Sequence, residues 1–166
     1  MRQPLVPVEF KPPQESILGG YHLVPIQTKD AQEDLEVLLK NADMITALRG
    51  GNGSKEKWPY TFTLKENTID VAWLEMCARN KQLFSYIIRN EKNSYIGCVY
   101  IYPIELYFPE KADEFDVDFS FWIVQSEFDK GIYQNIYNLL HTWLIQEWPF
   151  PMKRIYLRNK LTFVRK

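Results

Sequence analysis

The chain has 166 residues, enough for one domain with a sizeable core, and its 46% hydrophobic and 25% charged residues exclude a disordered or fibrous protein. Twenty Lys and Arg against twenty-one Asp and Glu leave a net charge of -1, so no global basic field points to nucleic acid or anionic lipid. Cys77 and Cys98 lie far apart among apolar neighbours, which reads as buried thiols in a reducing compartment and not as a disulfide or metal framework. The opening MRQPLVPVEFKPPQ is broken by prolines and lacks the apolar run of a signal peptide. The most apolar later run, 95–108, is too short to span a membrane. The expectation is a cytoplasmic protein.

Residues 1–20 contain four prolines and end in Gly19-Gly20, the pattern of an extended arm, which places the domain at 21–166. YHLVPI at 21–26 reads as a first strand, with Pro25 marking an edge or an end. Asp30 and Glu33 have capping-box spacing, and Ala31, Leu35, Leu38, Leu39 and Ala42 recur at helical period, predicting a helix over about 30–43. RGGNGSKEKWP at 49–59 has two readings: a plain surface loop, or a lid in which Trp58 walls an acceptor pocket. Thr63 with Glu66 forms a second capping box, opening a helix to about Asn80 with Ile69, Trp73, Met76 and Cys77 on its apolar stripe. FSYIIR (84–89) and YIGCVYIY (95–102) flank a polar turn and read as an antiparallel hairpin, followed by a proline-bearing connection.

The stretch 117–145 then changes rhythm. Val117, Phe119, Phe121 and Ile123 alternate with Asp118, Ser120, Trp122 and Val124 at strand period; after Gly131, Ile132, Ile136, Leu139, Leu140, Trp143 and Leu144 recur at helical spacing. A strand, a tight loop and a helix start together make an anion site, because unpaired N–H groups converge where the helix dipole is positive. Two prolines at 149 and 151 stop that helix, and RIYLR (154–158) reads as a last strand. His22 and His141 have no partner at metal-ligand spacing, and no G-x-S-x-G, Cys-His pair or P-loop is present.

The order strand, two helices, hairpin, strand, phosphate-type loop, long helix, strand resembles the GNAT-type N-acyltransferase superfamily, which uses acyl-CoA. Phe121-Trp122-Ile123 at the end of the fourth predicted strand, Gly131 at the next helix start and Asn159 after the last strand carry the likeness. The segments WPYTFTLKEN (58–67), YIGCVYIYPIE (95–105) and WPF (148–150) are similar to an uncharacterised branch. The resemblance covers about 20–159 and implies a single-domain α/β (α+β) fold, a mixed central sheet flanked by helices. After Arg158 only NKLTFVRK remains, where the resemblance implies a further helix and two strands; these are expected to be missing. One short strand at 161–164 would then lie either in its own sheet or on another subunit's exposed edge, and a homodimer is expected.

The superfamily's CoA signature, Q/R-x-x-G-x-G/A, falls here with Gly131 on its first glycine, Phe128 on the Q/R position and Tyr133 on the last G/A position. By resemblance, the CoA arm would pair with backbone groups of Trp122, Ile123 and Val124, with Gln125 at the loop entrance. Lys130, Gly131 and Ile132 would lie at the phosphates, and Asn159 beside them. Asp118, its neighbour Asp116 and Glu105 are the candidate bases, and Tyr100 and Tyr156 the candidate donors to the leaving thiolate. The resemblance implies an N-acetyltransferase moving an acetyl group from acetyl-CoA to an amine of a small molecule or peptide, with Trp58 at the acceptor. Phe128, Tyr133 and the short C-terminus leave an alternative, a degenerate relative that serves as a binding or interaction module.

Overall fold

Six strands lie side by side in the order in which they occur in the chain: β1 (Ser16–Leu18), β2 (Tyr21–Pro25), β3 (Phe84–Arg89), β4 (Tyr95–Pro103), β5 (Val117–Ile123) and β6 (Ile155–Leu157). The structure is a computed structural model and describes residues 2–50 and 58–159. Neighbouring strands are antiparallel except β5 and β6, which run parallel and so need a long crossover. That crossover holds a short helix α4 (Gln125–Asp129) and the long α5 (Tyr133–Glu147), while α1 (Ala31–Lys40), α2 (Ala42–Arg49) and α3 (Leu64–Arg79) separate β2 from β3. The stretch 161–164, expected to form a short strand, lies outside the described residues. Among those described, no helix is long and apolar enough to cross a membrane.

The alternation in β5 gives two different faces, both buried. Phe121 stacks on Tyr133 and meets Tyr137, and Tyr86 of β3 meets Trp143, so one face packs against α5. On the other face register places Cys98, Tyr100 and Tyr102 opposite Trp122, Ser120 and Asp118, a polar-edged surface covered by α1, α2 and α3. The sheet thus has an apolar side and a side rich in hydroxyl and carboxyl groups. The second is where chemistry is possible.

Several predicted elements are corrected. Ser16–Leu18, assigned to the arm, is a paired edge strand, and residues before it are held to the body: Leu5 N–H donates to Lys81 C=O (2.7 Å) and the Tyr86 hydroxyl to Pro13 C=O (2.7 Å). The helix expected over 30–43 is two helices that break at Asn41, whose φ of -123° is not helical. Asp30 caps the preceding turn by accepting the Gln27 N–H, and Glu33 instead pairs with Arg89. The Thr63–Glu66 box forms as predicted. Yet the buried face of α3 carries Asn67, Val71, Leu74 and Cys77, whereas Ile69 and Met76 are 62% and 47% exposed. A polar residue in the buried row displaced the apparent stripe: Asn67 donates to Ala31 C=O and to Asp34.

Gly97 leaves no room for a side chain between β4 and β5, since a Cβ there would lie 2.3 Å from the Trp122 carbonyl oxygen and 3.2 Å from the Ile123 Cα. Both obstacles are backbone, so no rotamer change relieves the overlap. Gly97→Ala is expected to lower stability by roughly 2–3 kcal/mol in urea denaturation. An unchanged midpoint would show that the two strands can separate freely at this rung.

Candidate active site

Beyond Leu157 the β5–β6 pair comes apart in an ordered way. Arg158 N–H still donates to Phe119 C=O (2.9 Å), but at the next rung a side chain replaces the strand. Asn159 accepts the Phe121 N–H through Oδ1 (2.9 Å) and donates from Nδ2 to the Phe121 carbonyl (2.9 Å). The same Nδ2 reaches Leu48 C=O (2.9 Å) and the Tyr133 hydroxyl (3.1 Å). Strand alternation turns the N–H and C=O of Ile123 to this side as well, and among the described residues neither has a partner there. Ile123 is fully buried, and unpaired backbone groups are rare in such a place. Of Trp122, Ile123 and Val124, only Ile123 turns its backbone groups away from β4. Trp122 and Val124 face β4, the latter donating to Ile96 C=O (2.8 Å).

The following loop differs from the expected open nest because α4 occupies it. Lys130 N–H donates to Glu127 C=O (3.2 Å) and Gly131 N–H to Phe128 C=O (2.9 Å), so these amides are used internally. Gly131 is needed for its φ of 78° and not for close approach, since nothing lies within 4 Å of its would-be Cβ. Ile132 is the N-cap of α5 and supplies no side-chain cap; the first helical bond runs from Ile136 N–H to Ile132 C=O. The amides of Tyr133, Gln134 and Asn135 therefore stand at the positive end of the helix without intrahelical partners. Tyr133 is only 2% exposed: its ring stacks on Phe121 at 5.3 Å and meets Phe128 at 5.8 Å, so both bulky replacements are anchors in the core beneath the loop. Burial pushes the Tyr133 hydroxyl up to about 12 against the opposing Asn159 bond. Lys130 pairs with Glu127 (3.0 Å), and Gln125 donates its N–H to Asn41 Oδ1 (2.8 Å), tying the loop entrance to the α1–α2 junction.

On the polar face of the sheet lies a cavity of about 320 Å³. Arg49, at the end of α2, donates from Nε to Ser120 Oγ (3.1 Å), with its guanidinium carbon 4.2 Å from the Tyr100 ring centre and 5.4 Å from that of Trp58. Asp34 accepts from the Tyr95 hydroxyl and from Asn67 Nδ2 (2.9 Å); burial raises its pKa to about 6 despite both bonds. Asp70 on α3 is also raised by burial, with the Arg49 charge opposing, and has no hydrogen-bond partner among the described residues. Trp122 Nε1 donates to the Tyr100 oxygen (2.9 Å), and the Tyr100 hydroxyl also bonds toward the Cys98 thiol. Burial holds that phenol well above the usual tyrosine range.

The expected bases are placed differently from the sequence reading. Asp118 is buried beneath Arg158, which takes both carboxylate oxygens and also donates from Nη1 to Arg49 C=O (3.3 Å). Arg158 lines the cavity and Asp118 does not, so Asp118 positions a guanidinium. Glu105 is exposed on the turn after β4, and Asp116 pairs with Arg154; neither borders the cavity. Tyr156 packs against Phe108 and Phe115. Trp58 does stand at the cavity wall. Asp34, Asp70 and Arg49 were missed. For Asp34 one signal existed: with Ala31 and Leu38 it occupies the buried i, i+3, i+7 row of α1, where an apolar residue belongs.

A mixed sheet whose last parallel pair opens after three rungs, with a loop and helix start at the opening, defines the acyl-CoA N-acyltransferase fold, and this chain has it. The ribosomal-protein-S5-alanine acetyltransferase of Vibrio fischeri is similar with a TM-score of 0.56 at 16% identity, over 80% of this chain and 67% of that one. RimL, the ribosomal L7/L12 alpha-N-protein acetyltransferase in complex with coenzyme A, gives 0.56 at 17% identity, over 78% and 66%. Mycobacterium smegmatis RimJ in complex with CoA-disulfide gives 0.55 at 13%, over 76% and 57%. At these identities the likeness is one of fold, and the chain spans about two thirds or less of those proteins' lengths. No protein-family model and no curated protein matches the chain.

The residues present fit an acyl-CoA in two respects. The orphan rung at Ile123 suits an extended amide-bearing arm, and the uncapped start of α5 suits a phosphate. Among the described residues, no three His, Cys, Asp or Glu side chains are grouped to hold a metal ion.

Proposed function

We propose that the protein is an N-acyltransferase that uses an acyl-CoA, with acetyl-CoA as donor, and acts on an amine of a small molecule or peptide held in the cavity. One observation carries this reading: the Ile123 rung, unpaired among the described residues, adjoins Trp122, whose β4 partner Cys98 lines the carboxylate-bearing cavity. When bound, the donor supplies a thioester carbonyl that the amine converts to an amide with release of the thiol. Ile123 and the first amides of α5 hold it, together with Lys130 once that side chain leaves Glu127, an exposed pair worth little. Asp70 binds the incoming ammonium and takes its proton, because it is the cavity carboxylate without a hydrogen-bond partner among the described residues.

A second reading, a binding module without transfer, is favoured by α4, which consumes the loop amides of Lys130 and Gly131. Calorimetric titration with acetyl-CoA separates the two. Binding is expected; no heat and no thermal shift at millimolar acetyl-CoA would leave the binding module standing. In the transferase, Asp70→Asn is expected to lower kcat by about 100-fold or more with acetyl-CoA affinity unchanged. Unchanged turnover would clear Asp70 of the role.

A further inference from the structure

The charges around the cavity describe its ligand more closely than the fold does. Arg49 is 8% exposed, its plane is set by Ser120 and the Tyr100 ring, and among the described residues it forms no ion pair. A guanidinium buried in this way attracts an anion, and its planar fork matches a carboxylate. The other guanidinium on the wall, Arg158, is already committed to Asp118 and to the Arg49 carbonyl. Asp34 is likewise committed, to Tyr95 and Asn67, which leaves Asp70 as its mirror image: a cavity carboxylate with no hydrogen bond among the described residues.

Among the described residues, the wall therefore presents, besides the hydrogen-bonded Asp34, one positive and one negative group that no salt bridge or hydrogen bond to an opposite charge engages. Asp118 neutralises Arg158, so Arg49 and Asp70 are those two wall charges, and a ligand carrying both signs has a counterpart for each. Trp58, Trp73 and Tyr107 line the same cavity, and a volume of about 320 Å³ is at the small end for ligand pockets.

We infer that the cavity binds a free α-amino acid with a flat apolar side chain, its carboxylate on Arg49 and its amine at Asp70. This rests on the reading of the cavity as the acceptor site and names the acceptor's class. Its test needs no acyl-CoA. The full chain is titrated by calorimetry with L-phenylalanine, with L-phenylalaninamide, which lacks the carboxylate, and with N-acetyl-L-phenylalanine, which lacks the ammonium. L-phenylalanine is expected to bind at least about tenfold more tightly than either analogue.

Two variants then assign the charges. Arg49→Lys, which loses the bidentate fork, is expected to shrink the advantage of phenylalanine over its amide. Asp70→Asn, at a half-buried position, is expected to shrink the advantage over the N-acetyl form and leave the first preference in place. Equal affinity for the three compounds, or binding of none of them to protein with a native far-UV spectrum, would overturn the inference. The two failures remain distinct. If acetyl-CoA does not bind and phenylalanine does, the transfer reading falls and the cavity's ligand stands; if acetyl-CoA binds and none of the three probes does, the reverse holds.

Discussion

Arg158→Met is expected to destabilise the protein by about 3–5 kcal/mol, because it leaves Asp118 as an unpaired charge in the core. Asp118 is 1% exposed and gives both oxygens to this one guanidinium, so its charge is satisfied through Arg158. The same arginine holds the end of α2 through the Arg49 carbonyl, and the residue after it secures β5. The damage should spread along the β5–β6 opening. The charge explanation makes a sharper demand: the double variant Asp118→Leu with Arg158→Met, measured by equilibrium urea unfolding, should recover a large part of the loss. A double variant no more stable than Arg158→Met alone would show that the arginine matters for its packing and its bond to α2 instead.

The second large effect is a stability that depends on pH through Asp34. Its folded pKa is about 6, raised by burial above the ordinary 3.8. A carboxyl raised on folding binds its proton more tightly in the folded state. Its contribution is therefore fully present below pH 4 and is lost as pH rises through 6. The gap corresponds to roughly 3 kcal/mol. Glu33, Glu75 and Asp116 act oppositely: hydrogen bonds from Arg89, Thr28 and Arg154 hold their pKa values down, and they lose stability as pH falls. Asp70, raised like Asp34, is present in both proteins of the comparison. The informative quantity is thus the difference between wild type and Asp34→Asn, which should decline between pH 4 and pH 6. A flat difference across that window would mean that Tyr95 and Asn67 fully compensate the burial.

The sequence carried the parts of this fold whose signals are local. The hairpin of β3 and β4, the Thr63 cap and the change of rhythm at Gly131 are each written within a few neighbouring residues, and each appears where expected. The break at Asn41 was not legible, because helical spacing continues across it, and of the two bonds that its side chain makes among the described residues one is to Gln125, 84 residues away. Asp118 misled for the same reason. A carboxylate on a strand near a phosphate-type loop looks like a base until Arg158, 40 residues on, is seen to hold it. Phe128 and Tyr133 looked like obstacles in the loop, since a motif position gives no side-chain direction; the rings turn inward. Arg49, at the edge of a glycine-rich stretch, offered no cue that it lies over a tyrosine.

Asn159 also bears on how the molecule avoids its own kind. An open strand edge is a template on which another chain can polymerise, and the upper half of β5 would be such an edge. One side-chain amide answers the Phe121 N–H and carbonyl as a strand would, yet it has no further rungs to extend. Among the described residues, the step left without a partner is the single buried one at Ile123, too short to seed a fibril. A side chain thus ends the edge where a strand would have continued it, and denies a second chain a run of pairing groups.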